Sequence, residues 1–122
     1  MPHARQRLGT EGESLAVAHL EKLGYRTLER NYRTRFGEID IVADDGGTVV
    51  FVEVKTKTGS DFGDPVEEVT TQKQRQIISM GWAYATASCP RDTPCRFDVV
   101  TVDFSLMPPT ITHYQDAFRP GW

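Results

Sequence analysis

Two carboxylates and a lysine stand inside the most apolar stretches of this chain. Val49-Val50-Phe51-Val52-Glu53-Val54-Lys55 reads as a central strand, yet it carries Glu53 and Lys55. Side chains alternate across a strand, so residues two apart share a face about 6.6 Å along the chain. Phe51, Glu53 and Lys55 therefore point one way, and Val50, Val52 and Val54 the other. A second strand, Glu38 to Ala43, repeats the break, with Glu38 and Asp40 on one face and Ile39, Ile41 and Ala43 on the other. Between the two runs lies Asp44-Asp45-Gly46-Gly47, a hairpin turn signal that makes them antiparallel neighbours. Asp40 then falls beside Glu53 and Lys55.

Clustered carboxylates with no cation between them raise one another's pKa, and burial adds to the cost. A divalent metal resolves that conflict, and so does a salt bridge to Lys55 on a half-exposed face. Asp and Glu oxygens suit a hard cation such as Mg2+ or Mn2+, and no thiolate or imidazole cluster suits zinc. Such a cation polarises a phosphoryl group and activates water. Lys55 would orient that water or stabilise charge on the phosphate. The Val54 carbonyl is a further candidate ligand. Glu13 lies on the face of a first helix expected to meet the sheet. It is both a third acidic candidate and the last residue of a capping box, Thr10-Glu11-Gly12-Glu13.

Positioning these groups requires a sheet with helices against it. Leu15, Ala16, Leu20 and Leu23 recur at helical spacing, predicting a helix over 10–23 stopped by Gly24. Strands follow over 25–32, 38–43 and 48–57, then a polar loop over 59–65. A second helix is expected over 71–87, and strands over 97–104 and 111–114. The order αβββαββ predicts an α/β fold with a mixed sheet of about five strands and flanking helices. One domain over 1–122 is expected, with residues 1–8 and 119–122 as flexible tails.

The chain carries a net charge of −3, against a whole-surface basic footprint. Yet 11 of its 14 Lys and Arg residues fall between Arg5 and Arg75, the region that holds the carboxylates. No run reaches the ~18 apolar residues of a membrane span, and Met1 to Gly9 does not read as a signal peptide. A cytoplasmic location and no membrane partner are expected. Cys89 and Cys95 fit no zinc spacing, and in a reducing compartment they are expected to stay thiols.

Asp40 followed by Glu53-Val54-Lys55 resembles the signature of the PD-(D/E)XK nuclease superfamily, whose fold is restriction-endonuclease-like. Nearly the whole chain resembles one group within it, the YraN-like uncharacterised bacterial proteins, themselves similar to archaeal Holliday junction resolvases. The matching segments are Gly9 with Gly12-Glu13, Gly37-Glu38-Ile39-Asp40, Val50 to Lys55, Lys73, Arg96-Phe97-Asp98-Val99-Val100 and Asp116-Ala117-Phe118. The resemblance implies metal binding by Asp40 and Glu53, Glu13 as a third acidic residue, and a catalytic Lys55. Arg33, Arg35, Lys57 and Lys73 are candidate nucleic-acid contacts, with a plain surface lysine as the alternative for Lys73. A Mg2+-dependent endonuclease on DNA, branched or junction DNA included and compatible with a homodimer, is the first reading. DNA is preferred to RNA as partner. A non-catalytic nucleic-acid-binding accessory protein that retains the carboxylate site is the second, because fold does not fix function. A role with a protein partner is the third.

Overall fold

The computed structural model of the chain describes residues 4–58 and 69–120. The loop expected over 59–65 and the terminal residues 1–3 and 121–122 lie outside the described residues. The first helix, α1, spans Ala4–Lys22. It ends as expected. Gly24 has φ +95°, its N–H donates to the Glu21 carbonyl, and the Tyr25 N–H donates to Leu20, which together form a Schellman cap.

Its beginning differs from expectation. Thr10-Glu11-Gly12-Glu13 lies inside α1 and caps nothing, and residues 4–8, expected in a tail, are helical. Arg5, Gln6, Arg7 and Leu8 are good helix formers, and Gly9 costs the helix only about 1 kcal/mol. Gly12 serves packing. A Cβ there would sit 2.3 Å from Thr56 Cγ2, so its absence lets α1 close onto the sheet.

Strands β1 (Arg26–Thr34), β2 (Gly37–Asp45) and β3 (Thr48–Lys57) form an antiparallel meander. Gly46 and Gly47 make the β2–β3 turn with φ of +58° and +100°, the left-handed pair that tight hairpins require. The second helix, α2 (Thr71–Ser88), crosses back to β4 (Cys95–Asp103), which runs parallel to β3 from Val49↔Cys95 to Lys57↔Asp103. Strand β5 (Thr110–Tyr114) closes the edge antiparallel to β4. Among the described residues this is a mixed five-stranded sheet in the order β1-β2-β3-β4-β5, the expected αβββαββ architecture. Cys89 and Cys95 are free thiols. No helix among the described residues is long and apolar enough to cross a membrane.

A helix covers each face of the sheet. Ala16, Val17 and Leu20 of α1 pack on Ile41, Ala43, Val50, Val52, Val100 and Val102. Ile77, Ile78 and Met80 of α2 pack on Ile39, Val42, Phe51, Phe97 and Val99. The expected grouping of Ile39 with Ile41 and Ala43 is therefore corrected: Ile39 faces α2, and the other two face α1. Alternation holds from Ile41 to Ala43 and fails between Ile39 and Ile41, so the twist is centred on Asp40.

Gly81 sets how closely α2 approaches. A Cβ there would lie 3.0 Å from the rings of both Phe51 and Phe97, which stack with centroids 5.3 Å apart. Gly81→Val should cost roughly 2–3 kcal/mol through overpacking, read as a lower urea midpoint with an unchanged m-value.

Candidate metal centre

The candidate carboxylates gather where β2 and β3 part. Their ladder runs from Asp45↔Thr48 to Ile41↔Val52. Beyond it the Val54 N–H donates to Asp40 Oδ2 at 2.7 Å, so a side chain replaces the regular backbone pairing. On the other side of β2, the register places Asn31 opposite Asp40, and Asn31 has φ +51°. Asparagine tolerates this left-handed conformation better than most residues. Asn31 thus leaves regular β geometry on one side of Asp40, and on the other the β2–β3 ladder has ended, where the alternation breaks.

The twist turns Glu38 toward α1. Carboxylate oxygens of Glu13, Glu38 and Asp40 lie within 4.8 Å of one another, each residue partly buried. With its amide nitrogen facing the two glutamates, Asn31 donates to Glu38 Oε1 at 2.7 Å and to Glu13 Oε2 at 2.9 Å. Burial and then the charges of Asp40 and Glu38 push the Glu13 carboxyl up, with Arg30 and Asn31 opposing.

Glu53 meets Asp40 from the α2 side and is only 5% exposed. Burial, a hydrogen bond to Asp40 and the Asp40 charge push its carboxyl up to about 8, while Lys73 and Lys55 pull the other way. Asp40 is thus shared by two groups of acids, one on each face of the sheet.

The expected residues fall unevenly about this centre. Asp40 is met by Glu13 on one face and by Glu53 on the other, with Lys55 close enough for its charge to act on Glu53. Val54, expected to offer its carbonyl, engages Asp40 through its N–H. Lys73 stands in the first turn of α2, where the Thr70 side chain caps its N–H, and its Nζ lies 3.8 Å from Glu53 Oε2. Its side chain thus pairs with the buried Glu53. Arg33 pairs with Glu38 at 3.2 Å, Arg35 lies over the Phe36 ring, and Lys57, two residues beyond Lys55, acts by its charge on Asp103 of β4.

Glu38, Asn31 and Arg7 were not anticipated as site residues. Glu38 had a readable signal, since it shares the alternate position with Asp40. Arg7 joins Thr10, Asn31 and Arg33 in lining a cleft of about 770 Å³ onto which Glu13 and Glu38 of the cluster open.

Comparison with known proteins places this geometry in a family. The profile of the "Uncharacterised protein family UPF0102" matches residues 12–102. The chain is 50% identical over 112 residues to a "UPF0102 protein" of Geobacter metallireducens, covering 92% of each chain. It is 45% identical over 123 residues to a "UPF0102 protein" of Chlorobium chlorochromatii, covering 96% of this chain and 95% of the other. The chain belongs to the UPF0102 family. The matched span of this UPF0102 member holds Glu13, Glu38, Asp40, Glu53, Lys55 and Lys73, and its fold resembles the PD-(D/E)XK superfamily.

The donor set fits a hard divalent cation. Three carboxylates within 4.8 Å, with no sulfur or imidazole among them, suit Mg2+ or Mn2+. Burial first, and then neighbouring carboxylates, raise the Glu13 and Glu53 carboxyls, and a divalent cation would relieve both.

Proposed function

We propose that this protein is a metal-dependent endonuclease that hydrolyses phosphodiester bonds in DNA, including branched or junction DNA. The observation that carries the reading is the convergence of Glu13, Glu38, Asp40 and Glu53 at the parting of two strands, beside a cleft lined by Arg7 and Arg33. Glu13, Glu38 and Asp40 would hold Mg2+ or Mn2+, with Glu53 supporting Asp40 from the other side. The cation, when bound, supplies Lewis acidity to the phosphoryl group and a lowered pKa to bound water.

The chain's own groups do the rest. The Val54 N–H fixes one oxygen of Asp40, so the carboxylate cannot rotate without losing a 2.7 Å bond. Lys73 and Lys55 bring positive charge to Glu53 and would meet the charge that builds on a phosphate under attack. Arg7 and Arg33 would hold flanking phosphates without reading sequence. In the hydrolysis, the water oxygen bonds to phosphorus, one P–O ester bond breaks and the departing oxygen takes a proton.

Labelled single-stranded, duplex, flapped and four-way-junction DNA, each with Mg2+, Mn2+ or EDTA, tests the reading. Cleavage should require metal and should fall at least ~100-fold in Asp40→Asn. DNA binding with no cleavage of any substrate would make the protein a non-catalytic accessory binder. Neither binding nor cleavage would reduce the cluster to a structural one.

A further inference from the structure

Next to the carboxylate centre lies a surface of opposite character. The tip of the β1–β2 hairpin carries Phe36, 63% exposed, with the Arg35 guanidinium carbon 4.8 Å from its ring centroid. The tip is seated rather than dangling. The Phe36 N–H donates to Thr34 Oγ1 at 3.0 Å, and Gly37 (φ +142°) rests against Met80 of α2. Opposite stand Gln72, Arg75, Gln76 and Ser79, all exposed and spaced i, i+3, i+4, i+7, one stripe along α2. Together these six residues line a groove of about 650 Å³. Among the described residues no carboxylate lines it, in a chain whose net charge is −3. At its near end, Gln72 adjoins Lys73, which reaches Glu53.

We propose that this groove binds an unpaired nucleotide of the DNA substrate, with its base stacked on Phe36 and its flanking phosphates held by Arg35 and Arg75. The inference deepens the proposed function and rests on it for the identity of the ligand. Arg35 covers one face of the Phe36 ring and Arg75 lines the same groove. This arrangement suits a base on the other ring face between two phosphates, and the amides of Gln72 and Gln76 can meet base edges. A paired base hides its face in the stack, so the groove discriminates against blunt duplex. Placed one residue from Lys73, it would select DNA in which unpaired nucleotides adjoin the bond to be cut, as at flaps and junction crossings.

Fluorescence anisotropy in EDTA, where metal-dependent cleavage is excluded, measures the groove apart from catalysis. A labelled single-stranded oligodeoxynucleotide and a blunt duplex of equal length are the probes. Phe36→Ala should weaken single-strand binding about tenfold, the range of one lost base stack, and duplex binding by less than about twofold. Phe36→Trp should retain single-strand affinity. Arg75→Gln should reduce the slope of log affinity against log salt by roughly 0.7, one phosphate's share. Both sites are exposed, so thermal melts of the three variants should match the wild type. Unchanged single-strand affinity in both Phe36→Ala and Arg75→Gln overturns the proposal, as does a wild type that prefers the duplex or binds neither probe. Failure of the nuclease reading would show instead as absent metal-dependent cleavage, with the Phe36 dependence of binding intact.

Discussion

Asp98→Ala should lose about 3–5 kcal/mol of stability, the largest cost expected of a single substitution outside the metal centre. Asp98 is fully buried and accepts four bonds. Arg96 Nε and Nη2 donate at 2.9 and 3.0 Å, His113 Nε2 at 2.7 Å and the Asp116 N–H at 2.9 Å. Arg96 also donates to Asp45 and to the Tyr25 hydroxyl, which in turn accepts from Gln115. One carboxylate therefore ties together β4, β5, the β2–β3 turn and the end of α1. Its removal leaves a half-buried guanidinium, an imidazole and a backbone N–H without their acceptor. Against a total stability of ~5–15 kcal/mol, a urea midpoint should fall by a large fraction.

The same carboxylate predicts a pH response. Burial alone would push the Asp98 carboxyl up, but the bonds from His113, Arg96 and the Asp116 N–H outweigh it and hold the group below its ordinary 3.8. A carboxylate depressed in the folded state stabilises fully above its unfolded value. That stabilisation is lost as pH falls through the folded value. The wild type should therefore weaken below about pH 4 more steeply than Asp98→Asn, in urea melts taken across that range.

This network shows what kind of information the sequence carried. Arg96-Phe97-Asp98 and Asp116-Ala117-Phe118 stood out as motifs, but their partnership depends on a parallel strand and its antiparallel neighbour, which no local pattern reveals. Elements with their own punctuation were legible. Gly24 at the end of α1 and Gly46-Gly47 in the hairpin each require positive φ, and each boundary fell where glycine placed it. The start of α1 was misread because Thr10-Glu11-Gly12-Glu13 matches a capping box, whereas the missing Cβ of Gly12 answers to Thr56 far along the chain.

The centre was legible to the extent that strand alternation held. Charges inside the Val-rich β3 exposed Glu53 and Lys55, and the hairpin brought in Asp40. Strict alternation could not show β2 twisting at Asp40, so Glu38 was not read as a neighbour of Glu13. Nor could spacing show Lys73 reaching Glu53, because that contact is made across the sheet face from α2. Groups contributed by different elements become neighbours only when the layers pack.

Glu53→Gln should weaken catalysis and strengthen the metal-free fold at once. Glu53 is buried against Asp40, and its carboxyl is pushed up to about 8 from an ordinary 4.5. A carboxyl raised in the folded state stabilises the fold while pH stays below its unfolded value, and that stability drains away as pH climbs toward the folded value. In EDTA the wild type should accordingly lose stability between about pH 4.5 and 8. Glutamine keeps the shape and a hydrogen-bonding amide but never ionises, so the loss attributable to Glu53 should vanish. At pH 8 in EDTA the variant should be the more stable by something on the order of 2 kcal/mol, several degrees in the melting midpoint. With Mg2+ the ranking should reverse. The wild type gains from a cation that its carboxylates can hold, by an amount that grows with metal concentration, and the variant gains less. Cleavage by the variant should drop by at least ~100-fold. A purely structural cluster predicts a different pattern. There the variant would gain or lose equally with and without Mg2+, because Glu53 would answer only to Asp40, Lys73 and Lys55. Melting curves of both proteins at pH 5 and pH 8, with EDTA and with Mg2+, separate the two cases without relying on any assay of DNA cleavage.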